Sequence, residues 1–172
     1  MNRKKNRGSA ILEFCLTGIL LLFVWISVEE MARGMWTYHT LQYAAKIAAS
    51  YASVHGADCS AGSNSCTVSI GGIASVFQSA GIGLIPSQVA MTFTTDSGAV
   101  THCNLGGSTN PCSSQVSTWP PASNNDNQVG KTVWVRADYT FNSALYMFAP
   151  GNGKVAFGAF DFPGDSKQVI LF

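Results

Sequence analysis

From Ala10 to Val28 the chain reads AILEFCLTGILLLFVWISV, an apolar run broken by a single charge, Glu13. As a helix, these 19 residues span about 28 Å, the thickness of one hydrocarbon core. The pattern then changes without a break. Met31, Met35, Tyr38, Leu41, Ala45, Ala48 and Ala52 recur at steps of three and four, the spacing of an amphipathic helix. Polar Glu29, Arg33, Thr37, Lys46, Ser50 and Ser53 fall mostly elsewhere. The two patterns predict one helix over 9–53, apolar over about 10–28 and amphipathic over 29–53. Ala44, Ala45, Ala48, Ala49 and Ala52 permit close approach of a partner surface. Gly34 is a weak point where a bend is tolerated. Gly56 and the polar stretch CSAGSNSC end the helix.

Residues 54–172 alternate at shorter periods and predict a small head. IASVFQSA, Ile73 to Ala80, reads as a short helix stopped by Gly81-Ile82-Gly83 and Pro86. QVAMTFTT, Gln88 to Thr95, alternates as a strand. Asp96-Ser97-Gly98 reads as a turn, after which Ala99 to Cys103 pairs back. Residues 104–129, rich in Ser, Asn, Gly, Thr and Pro, read as a long surface loop pinned in part by Trp119-Pro120-Pro121. KTVWVRADYTF, Lys131 to Phe141, is the clearest strand, with Val133, Val135, Ala137, Tyr139 and Phe141 on one face. Pro150-Gly151-Asn152-Gly153 reads as a turn before a strand over Val155 to Phe160, Phe162-Pro163-Gly164 as a further turn, and Gln168 to Phe172 as a last strand. The fold class expected from this pattern is α+β.

Charge decides how the apolar run is placed. Only 11% of the 172 residues are charged, against the usual share of about 25%. The net charge is +1, which provides no broad basic surface for nucleic acid. Four of the ten cations, Arg3, Lys4, Lys5 and Arg7, lie in the first seven positions, and Glu29 and Glu30 follow the run. By the positive-inside bias the N-terminus stays in the cytoplasm and the head crosses. A secretory signal would end in a small-x-small cleavage site; Glu29-Glu30-Met31-Ala32-Arg33 is a poor one.

Glu13 is the costly residue, since an ionised side chain mid-membrane costs about 2.5–3.5 kcal/mol on insertion scales. The bland reading seats it at the headgroups near Arg7. Its surroundings, Arg7-Gly8-Ser9-Ala10-Ile11-Leu12-Glu13-Phe14, argue for more. A basic leader ending in Gly, with Glu five residues later at the start of an apolar helix, resembles the processing site of type IV prepilins. The Glu-Phe pair matches the tight-adherence (Tad) subclass. RGSAILEF, the apolar run and EEMARGMWTYHTLQYAAKIAASYAS together resemble the TadE-like minor pilin, or pseudopilin, family over about residues 7–53. Cys15 and Thr17-Gly18 depart from the Ala, Leu or Pro of many relatives, and the missing Pro implies a straighter helix.

The resemblance implies a pilin-like arrangement, a long N-terminal helix followed by a small antiparallel-sheet head, and cleavage between Gly8 and Ser9 by a prepilin peptidase, which removes all four leader cations. Glu13 then lies one turn, about 6 Å, from the new Ser9 ammonium. In a low-dielectric helix bundle a carboxylate partnering that ammonium, in its own subunit or a neighbour's, penalises misregistered subunits. Glu13 and Phe14 are therefore candidate assembly and register residues. The partners implied are the peptidase, major and other minor pilins, an inner-membrane assembly platform and membrane lipid. The location implied is a single pass through a bacterial inner membrane with the head in the periplasm, followed either by incorporation into an extracellular pilus serving adhesion or secretion or by a place at its base. The competing reading is a single-span membrane protein with a periplasmic binding domain and no filament role.

Cys15 lies in the apolar run as a small apolar residue. Cys59, Cys66, Cys103 and Cys112 lie on the translocated side, where an even count reads as two disulfides. Three connectivities are open, and Cys59–Cys66 with Cys103–Cys112 is favoured because each pair brackets a short polar loop. Their spacing does not suit zinc. His39, His55 and His102 share no ligand spacing, Gly71-Gly72 and Gly106-Gly107 lack a nucleotide-loop context, and no nucleophile motif occurs in a convincing setting. No catalytic residue, metal or cofactor is expected. Asp161 and Asp165, flanking Phe-Pro-Gly, are a slender calcium candidate. Asp138 is expected to pair with Arg136 or a loop amide.

Overall fold

The computed structural model describes residues 7–56, 68–143 and 159–171. Helix α1 runs unbroken from Arg7 to Ser53, 47 residues. It starts two residues before Ser9 and passes through Gly34, where the weak point produces no break. Side-chain hydroxyls within the apolar half are satisfied inside the helix. Thr17 Oγ1 donates to the Glu13 carbonyl at 2.8 Å, and Ser27 Oγ to the Phe23 carbonyl at 2.8 Å.

The head consists of α2 (Ile70–Ala80), β1 (Val89–Thr95), β2 (Val100–Asn104), β3 (Thr132–Asn142) and β4 (Ala159–Val169), in one antiparallel sheet of order β2-β1-β3-β4. The α+β layout expected from the residue pattern is present. Ser69 caps α2 by accepting from the Gly72 N–H at 3.1 Å. Gly98 closes the β1–β2 turn at φ 85°, in the left-handed region that favours glycine. The alternation of β3 buries Val133, Val135, Ala137, Tyr139 and Phe141 as predicted. They meet Leu41, Ala44, Ala45, Ala48, Ala49 and Ala52 of α1, all fully buried, with Ile73 and Phe77 of α2 completing the core.

Two expectations about α1 are corrected. The predicted helical stripe is buried only from Leu41 onward; Met31 and Met35 remain 70% and 58% exposed, because the head covers only the later turns of α1. Ser53, expected on the polar side, is buried and donates its hydroxyl to the Ser50 carbonyl.

Phe162-Pro163-Gly164 is not a turn, and Gln168 does not open a new strand; both belong to β4. Two features allow this. β4 is a sheet edge, where a proline is tolerated when its nitrogen points away from the ladder. The Pro163 carbonyl accepts from Gln42 Nε2 of α1 at 3.1 Å, so this residue's backbone groups face the open edge. After β4 the chain is tied back, with Ile170 N–H donating to the Lys131 carbonyl and Leu171 N–H to the Ser53 carbonyl.

The 104–129 segment is a surface loop only in part. Cys112, Trp119, Pro120 and Asp126 are buried within it. Trp119 stands edge-on to Phe93 at 5.3 Å, the expected pin. The predicted turn at Pro150–Gly153 and the first residues of the Val155–Phe160 strand lie outside the described residues; β4 takes up Phe160.

Candidate functional site

The feature that separates this chain from a self-contained domain is the first half of α1. It is long and apolar enough to cross a membrane, and its most apolar stretch is entirely unburied. Ile11, Leu12, Phe14, Leu16, Leu20, Leu21, Val24 and Trp25 all stand exposed. Burying a Leu- or Phe-sized side chain is worth about 1.5–3 kcal/mol, so this surface demands an apolar partner.

The expected assembly residues sit at the start of that surface. Glu13 and Phe14 lie on the exposed stem, Phe14 at 77%. Gly8 and Ser9 fall in the first turns of α1, so a protease cutting between them would have to meet a locally unwound end. Arg3, Lys4 and Lys5 lie outside the described residues, as does the Arg7 side chain. Cys15 is an exposed unpaired thiol on the same stem.

Where the stem meets the head, a cluster forms that the sequence pattern did not reveal. Arg33 Nη1 donates to Glu30 Oε1, and its guanidinium lies 5.4 Å from the Phe141 ring centroid. Glu30 is nine-tenths buried by side chain, and its second oxygen, Oε2, has no hydrogen-bond partner among the described residues. The only local signal was the i,i+3 spacing of Glu30 and Arg33. Phe141, Phe160 and Phe162 arrive from more than a hundred residues away.

In the head, Cys103 and Cys112 form the expected disulfide, with Cα atoms 4.9 Å apart and both residues buried. Cys59 and Cys66 lie outside the described residues. The sheet's outer face is polar and internally paired. Arg136 grips both oxygens of Asp138, Thr140 Oγ1 donates to Asp161 and Trp134 Nε1 to Asp165. Asp161 and Asp165 are four positions apart on β4, about 13 Å along a strand, each with its own donor. They do not flank a turn, which corrects the calcium reading. Among the described residues no group of three or more His, Cys, Asp or Glu could hold a metal. His55 Nδ1 contacts the Tyr51 carbonyl, and His102 Nδ1 contacts Thr92 Oγ1; neither meets the other or His39.

Two aspartates secure the β1–β2 turn. Burial pushes the Asp126 carboxyl up, but hydrogen bonds from the Ser97 and Thr95 hydroxyls and the Ser97 N–H outweigh it and hold the group below its ordinary value. Asp96 is also held low, first by the Thr132 hydroxyl at 2.7 Å and then by Lys131 at 3.1 Å. These are fastenings of the head.

The chain gives no significant match to any family model, curated protein or solved structure.

Proposed function

We propose that this chain is a structural subunit of the TadE-like minor pilin type. It is inserted in the inner membrane, cut behind Gly8 and packed by its helix among other pilin-type subunits of a tight-adherence pilus or related secretion machine. The observation that carries this reading is the division of α1. Its first half is apolar and bare, and its second half is the packed spine of a small head. A stem of that kind suits lipid before assembly and neighbouring stems after it, without a change in its own fold. The Gly8–Glu13 spacing adds the means of release and of register.

The head has no role in this scheme beyond contact, which its loops from Cys103 to Gly130 provide, and no catalytic step is assigned. Intact-mass measurement of the membrane form, with and without the system's peptidase, tests the reading. A mature chain beginning at Ser9 is expected. Retention of Met1 to Gly8 with the peptidase present refutes it and favours the single-span receptor alternative.

A further inference from the structure

We infer that the junction of stem and head holds the headgroup of one zwitterionic aminophospholipid, of the phosphatidylethanolamine kind. A groove of about 540 Å³ opens there between α1 and the sheet, walled by Met31, Met35, Phe141, Phe160 and Phe162, with Glu30 also in its lining. Its walls are almost wholly apolar, yet it contains a carboxylate. That side chain is nine-tenths buried, and Oε2 has no partner among the described residues. Arg33 answers the carboxylate's charge through Oε1, but an enclosed Oε2 without a donor is a costly arrangement unless a second donor completes it.

The position and the neighbours select the cation. Glu30 lies two residues beyond Val28, where the apolar run ends. If α1 spans the bilayer as proposed above, the groove is at headgroup depth. Arg33, half exposed, stands beside Glu30 and offers the opposite charge. A phosphoethanolamine group carries an ammonium and a phosphate joined by a short ethylene link. Oε2 is enclosed in this structure, so the Glu30 carboxyl has to rotate toward the groove for the ammonium to donate to it, while the phosphate takes the outer face of the Arg33 guanidinium. The acyl chains would continue along Val28, Trp25 and the rest of the bare stem, which are already exposed and apolar. An anionic lipid without an amine answers Arg33 but leaves Oε2 unpaired, and an uncharged apolar ligand answers neither.

The inference rests on the membrane part of the proposed function, and the test separates the two. The full chain is reconstituted in vesicles of phosphatidylethanolamine and phosphatidylglycerol. Membrane insertion is read by flotation, and lipid held by the detergent-extracted chain by native mass spectrometry. The wild-type chain is expected to float and to retain one phosphatidylethanolamine in preference to phosphatidylglycerol. Glu30→Gln, which keeps the side-chain shape, is expected to float equally and to lose that retention by about tenfold, the effect of one charge-assisted contact. Arg33→Gln, at a half-exposed position, is the second variant and is expected to weaken retention in the same sense. Wild-type chain that does not float overturns the membrane reading and the headgroup site with it. Flotation with equal retention by wild type and both variants overturns the site alone. Reduced chemical cross-linking between copies in Glu30→Gln, with lipid retention unchanged, assigns the groove to a second copy of the chain and also overturns it.

Discussion

Gly164 of β4 lies so close to Leu41 of α1 that a Cβ in place of its hydrogen would stand 2.7 Å from Leu41 Cγ and 3.2 Å from its backbone carbonyl carbon. Leu41 is fully buried and cannot swing aside without disturbing the first turn of α1 held by the core. The contact sets how closely sheet and helix approach.

Gly164→Ala is therefore expected to destabilise the head by about 1–3 kcal/mol through overpacking. The check is the midpoint of urea unfolding in detergent, with the slope unchanged. A midpoint equal to wild type would mean that the helix seats less tightly than this contact requires.

Asp126 predicts an acid-sensitive head. Its folded pKa lies below the ordinary value near 3.9. Its stabilising contribution is therefore complete above that value and is lost as pH falls through the folded pKa. Asp96 is depressed as well and acts in the same window. Stability should hold from pH 7 to about 5 and decline below about 4. Asp126→Ala should lower stability at pH 7 by about 1–2 kcal/mol, because the buried carboxylate that fastens the turn through the Ser97 N–H and hydroxyl is lost. It should also flatten the acid decline, and an unchanged slope below pH 4 would remove Asp126 as its source.

The Cys103–Cys112 disulfide encloses a short loop already held by the Asn110 side chain, whose Nδ2 donates to the His102 carbonyl at 2.6 Å. Replacing both cysteines with Ala should cost roughly 2–3 kcal/mol by the chain-entropy estimate for a loop of this length. The effect should be local. Amide exchange should quicken in β2, an edge strand, and stay near wild type in central β3. Equal quickening in both strands would show that the bond supports the whole head instead.

What was legible in the chain followed from period and punctuation. Val133 to Phe141 alternates because one sheet face is buried, and the long helix announces itself by two successive apolar patterns. What was missed depends on distant partners. Phe162-Pro163-Gly164 looks like a turn to any local rule, yet an open sheet edge accepts the proline and the Leu41 contact demands the glycine. Asp126 gave no local sign of burial, because its donors come from a turn 29 residues earlier. The stripe over Met31 and Met35 had the period of a core face, but period reports amphipathicity and not which turns the head reaches. Glu30 read as a flanking charge; only the sheet's return beside α1 encloses it.

Glu13 provides the sharpest test of assembly. Glu13→Ala removes the one charge in the apolar run, so insertion into the membrane should improve or stay the same. The peptidase should still cut behind Gly8, since the leader and the glycine are unchanged. What is lost is the partner for the Ser9 ammonium. In a helix bundle that leaves a buried cation without its acid, a cost large enough to disfavour docking in any register. Co-purification with other pilin-type subunits, or recovery in the sheared filament fraction, should fall by at least about tenfold, which requires only about 1.4 kcal/mol per subunit. Glu13→Asp, shorter by one methylene but still charged, should recover part of that loss, whereas Glu13→Gln should not. A Glu13→Ala chain processed and incorporated at the wild-type level would leave the carboxylate without a role in register, and the proposed means of assembly would fall.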